Sequence, residues 1–226
     1  MLDKKLLDLI CNFLSDKYVE KMSYNYTLFE KGNNEGQGRS LLRLNVGSFD
    51  NICVLNYDKK DKCEFLVKKW GMRKCVDHLI LRYHLDAWEL HMIEMKSKVR
   101  RDNWEAIKEK FRASYWNIQI FTKFLGISFD LEKVFLYTTY EREDMSIKKS
   151  SNPRGNNLML GEYIPDAEKE WNGEILTSIR LLPYDNSKEA LVKFQHTKIP
   201  MIRSINGECL EGSYDLNSGV IKFLLC

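Results

Sequence analysis

The chain has 226 residues, 44% hydrophobic and 30% charged, which is the balance of one large globular domain or of a domain with a small appendage. An aromatic content of 12% argues against a disordered chain, and 12 Gly with 4 Pro exclude collagen-like and low-complexity classes. Thirty-five Lys and Arg against 32 Asp and Glu leave a net charge of +3, which neither requires nor excludes a nucleic-acid partner.

Residues 2–22 carry Leu2, Leu6, Leu9, Ile10, Phe13, Leu14, Tyr18 and Met22 at helical spacing, which predicts an amphipathic helix. Residues 24–38 contain GNNEGQG, loop chemistry without the spacing of a phosphate-cradling loop. Strand-like runs follow at 40–46 and 51–57, with a turn expected at Gly47–Asp50, and a further apolar run lies at 63–67. VDHLILRY at 76–83 and WELHMIEMK at 88–96 read as two strands of a hairpin joined by His84-Leu85-Asp86-Ala87. Residues 103–125 place Trp104, Ile107, Phe111, Ser114, Ile118, Phe121 and Leu125 at steps of three and four, a core-facing helix, and 133–140 returns to strand composition. Residues 141–157 are a polar break. Short strands are expected beyond it at 174–182, 189–196, 199–205 and 219–225, as a small β-rich unit over 158–226 or as edge strands of the first sheet. Hairpin, helix and strand together predict a mixed α/β core.

The six cysteines, Cys11, Cys53, Cys63, Cys75, Cys209 and Cys226, form no Cys-x-x-Cys pair, and the histidines complete no zinc pattern. The N-terminus lacks the apolar core of a signal peptide, and no segment approaches the roughly 20 apolar residues that cross a bilayer. The expectation is a soluble, cytoplasmic chain with reduced thiols and no membrane partner.

Centring the hairpin turn between Leu85 and Asp86 sets the register. Tyr83 then faces Trp88, Leu81 faces Leu90 and Leu79 faces Met92, so the apolar pairs coincide. The same register sets Asp77 opposite Glu94, with Cβ atoms roughly 5 Å apart and Lys96 one pleat further on. Facing carboxylates repel unless a cation bridges them, and hard cations such as Mg²⁺ accept one or two carboxylates plus waters. The motif Asp/Glu-x-Lys occurs three times, at Asp3, Asp58 and Glu94, but only Glu94-Met95-Lys96 ends an apolar strand with an acid set opposite. His78 and His91 fall on the other face, and Trp88 and Trp104 are expected in the core.

Asp77 followed by Glu94-Met95-Lys96 resembles the core of the PD-(D/E)xK nuclease superfamily, and the order of elements over about residues 1–145 is similar to it. Val76 stands where the family name has proline, and Tyr115 and Gln119 appear in the reverse of the Gln-x-x-x-Tyr order of some members. The resemblance implies a restriction-endonuclease-like core, a mixed β-sheet flanked by helices, with residues 158–226 as a small β-rich C-terminal extension. It implies a metal-dependent nuclease in which Asp77 and Glu94 bind Mg²⁺ or Mn²⁺ and Lys96 assists the attacking water. It also points to a further acid, with Glu20 and Glu30 as candidates. DNA is favoured over RNA, a homodimer is one arrangement the family uses, and restriction, phage or plasmid defence and repair are the settings. Basic residues that could grip phosphates are Lys98, Arg100 and Arg101 after the Glu-x-Lys strand, and Lys108 and Arg112 on the helix. The alternative is a non-catalytic binding or regulatory protein on a degenerate nuclease fold.

Overall fold

The structure, a computed structural model, describes residues 19–21, 23–31, 38–59, 74–145, 166–182 and 190–221. Strands β5 (His78–His84) and β6 (Ala87–Glu94) are nearly continuous apolar runs because both of their faces are covered. They lie at the centre of a seven-stranded mixed sheet. Its order is β1 (Val19–Lys21), β4 (Asp50–Val54), β5, β6, β8 (Val134–Tyr140), β11 (Leu191–Pro200) and β10 (Thr177–Arg180). β6 and β8 are parallel, which requires a crossover, and helix α1 (Arg101–Phe124) supplies it.

Alternation along the strands sorts the core into two layers. Ile52, Val54, Leu79, Leu81, Leu90, Met92, Val134 and Leu136 pack with Trp104, Ile107, Phe111 and Ile118 of α1. On the other face Cys53, Ile80, Ile93, Tyr137 and Ile199 meet a second sheet through Tyr26, Leu28, Leu42, Leu44, Leu210 and Tyr214. That sheet orders β12 (Ile202–Arg203), β13 (Cys209–Asp215), β3 (Arg39–Asn45) and β2 (Asn25–Lys31), with β14 (Val220–Ile221) beside β13. A ribbon of β7 (Lys98–Arg100) and β9 (Arg142–Asp144) and a short helix α2 (Ala167–Trp171) complete the described elements. The chain is therefore mixed α/β, but mostly sheet.

The hairpin register stands as expected, with Leu79, Leu81 and Tyr83 opposite Met92, Leu90 and Trp88. Its connection is shorter than expected. The strands run to His84 and from Ala87, and only Leu85 (φ 50°) and Asp86 (φ 57°) turn the chain, the double left-handed conformation of a two-residue hairpin loop.

Other expectations change. Within 24–38, Asn25–Lys31 is a strand whose alternating burial seats Tyr26 and Leu28 in the core. Gly47–Asp50 does not close a hairpin: β3 belongs to the second sheet and β4 to the first, so the chain changes layers there. For the strands expected over 158–226 the second of the two expected arrangements holds in part, since β11 and β10 lie at the edge of the first sheet. β11 lies beside β8 in the first sheet, and β13 lies parallel to β3 in the second. Of the helix expected over 2–22, the described residues Val19–Lys21 are strand, and residues 1–18 and 22 lie outside the description, as does the run at 63–67. Among the described residues no helix is long and apolar enough to cross a membrane.

Candidate active site

Glu94 ends β6 on the face shared with Leu90 and Met92, so its side chain turns toward α1. Asp77 lies one residue before β5, just beyond the last ladder pair of His78 with Ile93. Its backbone carbonyl accepts the Tyr57 N–H at 2.6 Å. Its Oδ2 accepts the Met95 N–H at 2.6 Å, so Asp77 clamps the chain where it leaves β6. Lys96 is half-buried. Its ammonium pairs with Glu94 Oε1 and lies 3.3 Å from the Met95 carbonyl, while its own N–H donates to Thr139 Oγ1 at 3.0 Å. The structure thus brings Asp77, Glu94 and Lys96 together at one end of the hairpin.

A second lysine completes the cluster. Lys110 of α1 donates to Glu94 Oε1 at 2.6 Å and lies 3.6 Å from Asp77 Oδ1. The same flank of α1 grips the approach to Asp77: Ser114 Oγ accepts the Val76 N–H at 2.9 Å, and Asn117 donates to the Cys75 sulfur at 3.3 Å. Sequence reasoning missed Lys110. The available signal was its spacing, three residues after Ile107 and four before Ser114, which sets a cation beside the buried stripe.

Electrostatics follow from this packing. Burial first, and then the Asp77 charge, pushes the Glu94 carboxyl up to about 7 against the pull of Lys96 and Lys110. Burial works against the Lys110 charge, but Glu94 and Asp77 outweigh it and hold the ammonium above its usual range, with Asp58 adding to their field. Glu94 Oε2 is buried and accepts no hydrogen bond among the described residues. Two adjacent carboxylates, one with a bare oxygen, are a donor set suited to a hard divalent cation that keeps most of its waters. Among the described residues no group of three or more His, Cys, Asp or Glu able to hold a metal occurs.

The other expected site residues divide. Lys98, Arg100 and Arg101 lie on β7 and the start of α1, directly after the acidic strand. Arg100 is exposed, and Arg101 reaches the Met145 carbonyl at 3.5 Å. Lys108 and Arg112 are buried on the flank of α1 away from Lys110, which corrects their assignment to a phosphate-gripping face. The Lys108 ammonium is held 3.1 Å from Glu170 Oε2 and 2.7 Å from Glu105, so it is a packing element between α1 and α2. Glu30 sits on β2 in the second sheet, opposite Ser40 and across the first sheet from the acids, and is not brought to them. Glu20 lies on edge strand β1, and its side chain lies outside the described residues. His78 and His91 fall on the face away from Glu94, and Trp88 and Trp104 are core residues, all as expected.

Comparison of the chain with family models, with curated proteins and with solved structures gives no match.

The raised Glu94 carboxyl has a measurable consequence. Its ordinary value is 4.5 and its folded value about 7, so between these pH values the folded chain holds a proton that the unfolded chain has lost. Unfolding free energy of the metal-free protein therefore falls as pH rises through that window, by up to roughly 3 kcal/mol. Melting in EDTA from about pH 5 to pH 8 should show this decline, and Glu94→Gln should flatten it. An equally steep slope in the variant would place the titration elsewhere.

Proposed function

We propose that the chain is a divalent-metal-dependent nuclease that hydrolyses phosphodiester bonds, DNA in preference to RNA, on a restriction-endonuclease-like core. The observation that carries this reading is the convergence of Asp77, Glu94 and Lys96 at one hairpin end, under α1. The succession of strands, β5 after Asp77, β6 ending in Glu94, α1 and β8 supports the reading, because it follows the element order that the resemblance implies. Asp77 and Glu94 would hold Mg²⁺ or Mn²⁺, which acidifies a bound water and neutralises charge on a phosphoryl oxygen. The chain's own groups do the rest. The Met95 N–H fixes the Asp77 carboxylate, and the Thr139 hydroxyl fixes the Lys96 backbone. The Lys96 ammonium, on a partly exposed stem, orients the nucleophilic water and offsets the charge that builds on phosphorus. Lys98, Arg100 and Arg101 follow in sequence and provide phosphate contacts, which carry most sequence-independent affinity. Defence against phage or plasmid DNA, restriction and repair all use this chemistry.

One observation favours a second reading. Glu94 Oε1 already has two ammonium partners, an arrangement that a degenerate, non-catalytic binding protein on the same core could keep without metal. Incubating supercoiled plasmid, single-stranded DNA and RNA with the protein in EDTA, Mg²⁺ or Mn²⁺ separates the two. Cleavage that requires metal and favours DNA supports the nuclease. Intact polymers in every metal, from a folded protein, leave the binding reading.

A further inference from the structure

We infer that Lys110 is the resident cation of the Asp77–Glu94 site: its ammonium holds the two carboxylates together and must leave when a divalent cation binds between them. The inference rests on the metal-binding reading above and adds a group that the Asp-Glu-x-Lys motif does not contain. Three features of the geometry carry it.

First, Lys110 reaches both acids at once, 2.6 Å from Glu94 Oε1 and 3.6 Å from Asp77 Oδ1, whereas of these two acids Lys96 is paired with Glu94. A cation that bridges two carboxylates from separate strands occupies the place a shared metal needs, and the two positive charges repel at such range. Second, the cluster is overfilled on one side and bare on the other. Both ammonium groups crowd Glu94 Oε1 while the buried Oε2 accepts nothing among the described residues. A site evolved only as an ion-pair network would spread its donors over both oxygens, since each buried lone pair left bare costs desolvation energy. Third, the two lysines are anchored differently. The Lys96 backbone is tied to Thr139 beside Glu94. Lys110 enters from α1 on a flexible stem whose side chain is 24% exposed, so its head can withdraw without moving the helix. The Asp58 charge acts on Lys110 as well.

The arrangement keeps an acidic pocket neutralised in the absence of metal. It also sets a threshold: cation binding has to displace Lys110, so the lysine lowers metal affinity while preserving the fold.

The test is Mn²⁺ titration of the metal-stripped full chain at neutral pH without nucleic acid, with free Mn²⁺ read by electron paramagnetic resonance. Lys110→Met should bind Mn²⁺ about tenfold or more tightly than wild type. Lys110→Arg, which keeps the charge, should not. Should Lys110→Met fail to fold, the intact wild type still decides. Acylation of Lys110 by an N-hydroxysuccinimide ester, mapped by mass spectrometry, should rise severalfold on saturation with Mn²⁺ as the ammonium is released. Equal or weaker Mn²⁺ binding by a folded Lys110→Met, or Lys110 labelling unchanged by bound Mn²⁺, overturns the inference and leaves the nuclease reading standing. No Mn²⁺ binding by either folded protein overturns both.

Discussion

Glu94→Ala is expected to lower the metal-dependent cleavage rate by at least about a thousandfold, a loss of roughly 4 kcal/mol of transition-state stabilisation. The carboxylate is fully buried at the hairpin end beside Asp77 and two ammonium groups, so its removal would dismantle the proposed cation site and leave Lys96 and Lys110 without their shared anion. Lys96→Ala should give a comparable loss of cutting but a different pattern: Mn²⁺ binding is retained while the rate collapses. That split separates a group that holds metal from one that acts on the nucleophile. Plasmid cleavage under single-turnover conditions beside Mn²⁺ titration reads both quantities. Wild-type cleavage by Lys96→Ala would remove that residue from the chemistry.

The second large effect is on stability and lies away from the acids. Glu170 of α2 is fully buried. Its Oε2 accepts from Trp104 Nε1 and from Lys108 Nζ, each at 3.1 Å, and its Oε1 accepts the Ser178 N–H at 2.7 Å. One carboxylate thereby joins α1, α2 and β10. Glu170→Ala leaves a buried ammonium with the exposed Glu105 as its one remaining acid among the described residues and strands an indole and a backbone N–H. Removing one member of such a buried pair costs about 3–5 kcal/mol, and urea unfolding should show the midpoint fall with the slope unchanged. Glu170→Gln, which keeps an acceptor oxygen, should lose less. A change below about 1 kcal/mol in Glu170→Ala would mean that solvent already satisfies these donors.

These two sites show which parts of the molecule the sequence discloses. The β5–β6 register was legible because a one-residue slip would have turned Leu79, Leu81, Leu90 and Met92 out of the α1 layer. Placing Asp77 beside Glu94 followed from that register alone, although Asp77 proved to sit just past the ladder and to hold the Met95 N–H. Lys110 escaped because its partners come from the hairpin, and a helix pattern by itself does not say which flank meets which strand. The same gap explains Lys108 and Arg112. Both were read as exposed phosphate-gripping residues, and nothing local announced that α2, five residues long, would pair its Glu170 with Lys108 or that Arg112 would be buried. The second sheet was hidden for a related reason. β13 pairs in parallel with β3, at the other end of the chain, and such non-local pairing leaves no periodic trace in either segment. Glu30 looked available for a metal site only while its strand was read as loop.

Asp77 and Glu94 are proposed to form one cation site. Anomalous diffraction from crystals of the wild-type protein grown with Mn²⁺ tests this directly. A single strong peak is expected between the two carboxylates, within about 2.5 Å of an oxygen from each and with waters completing the shell. A peak confined to surface carboxylates elsewhere, with Lys110 still bridging Asp77 and Glu94, would contradict it.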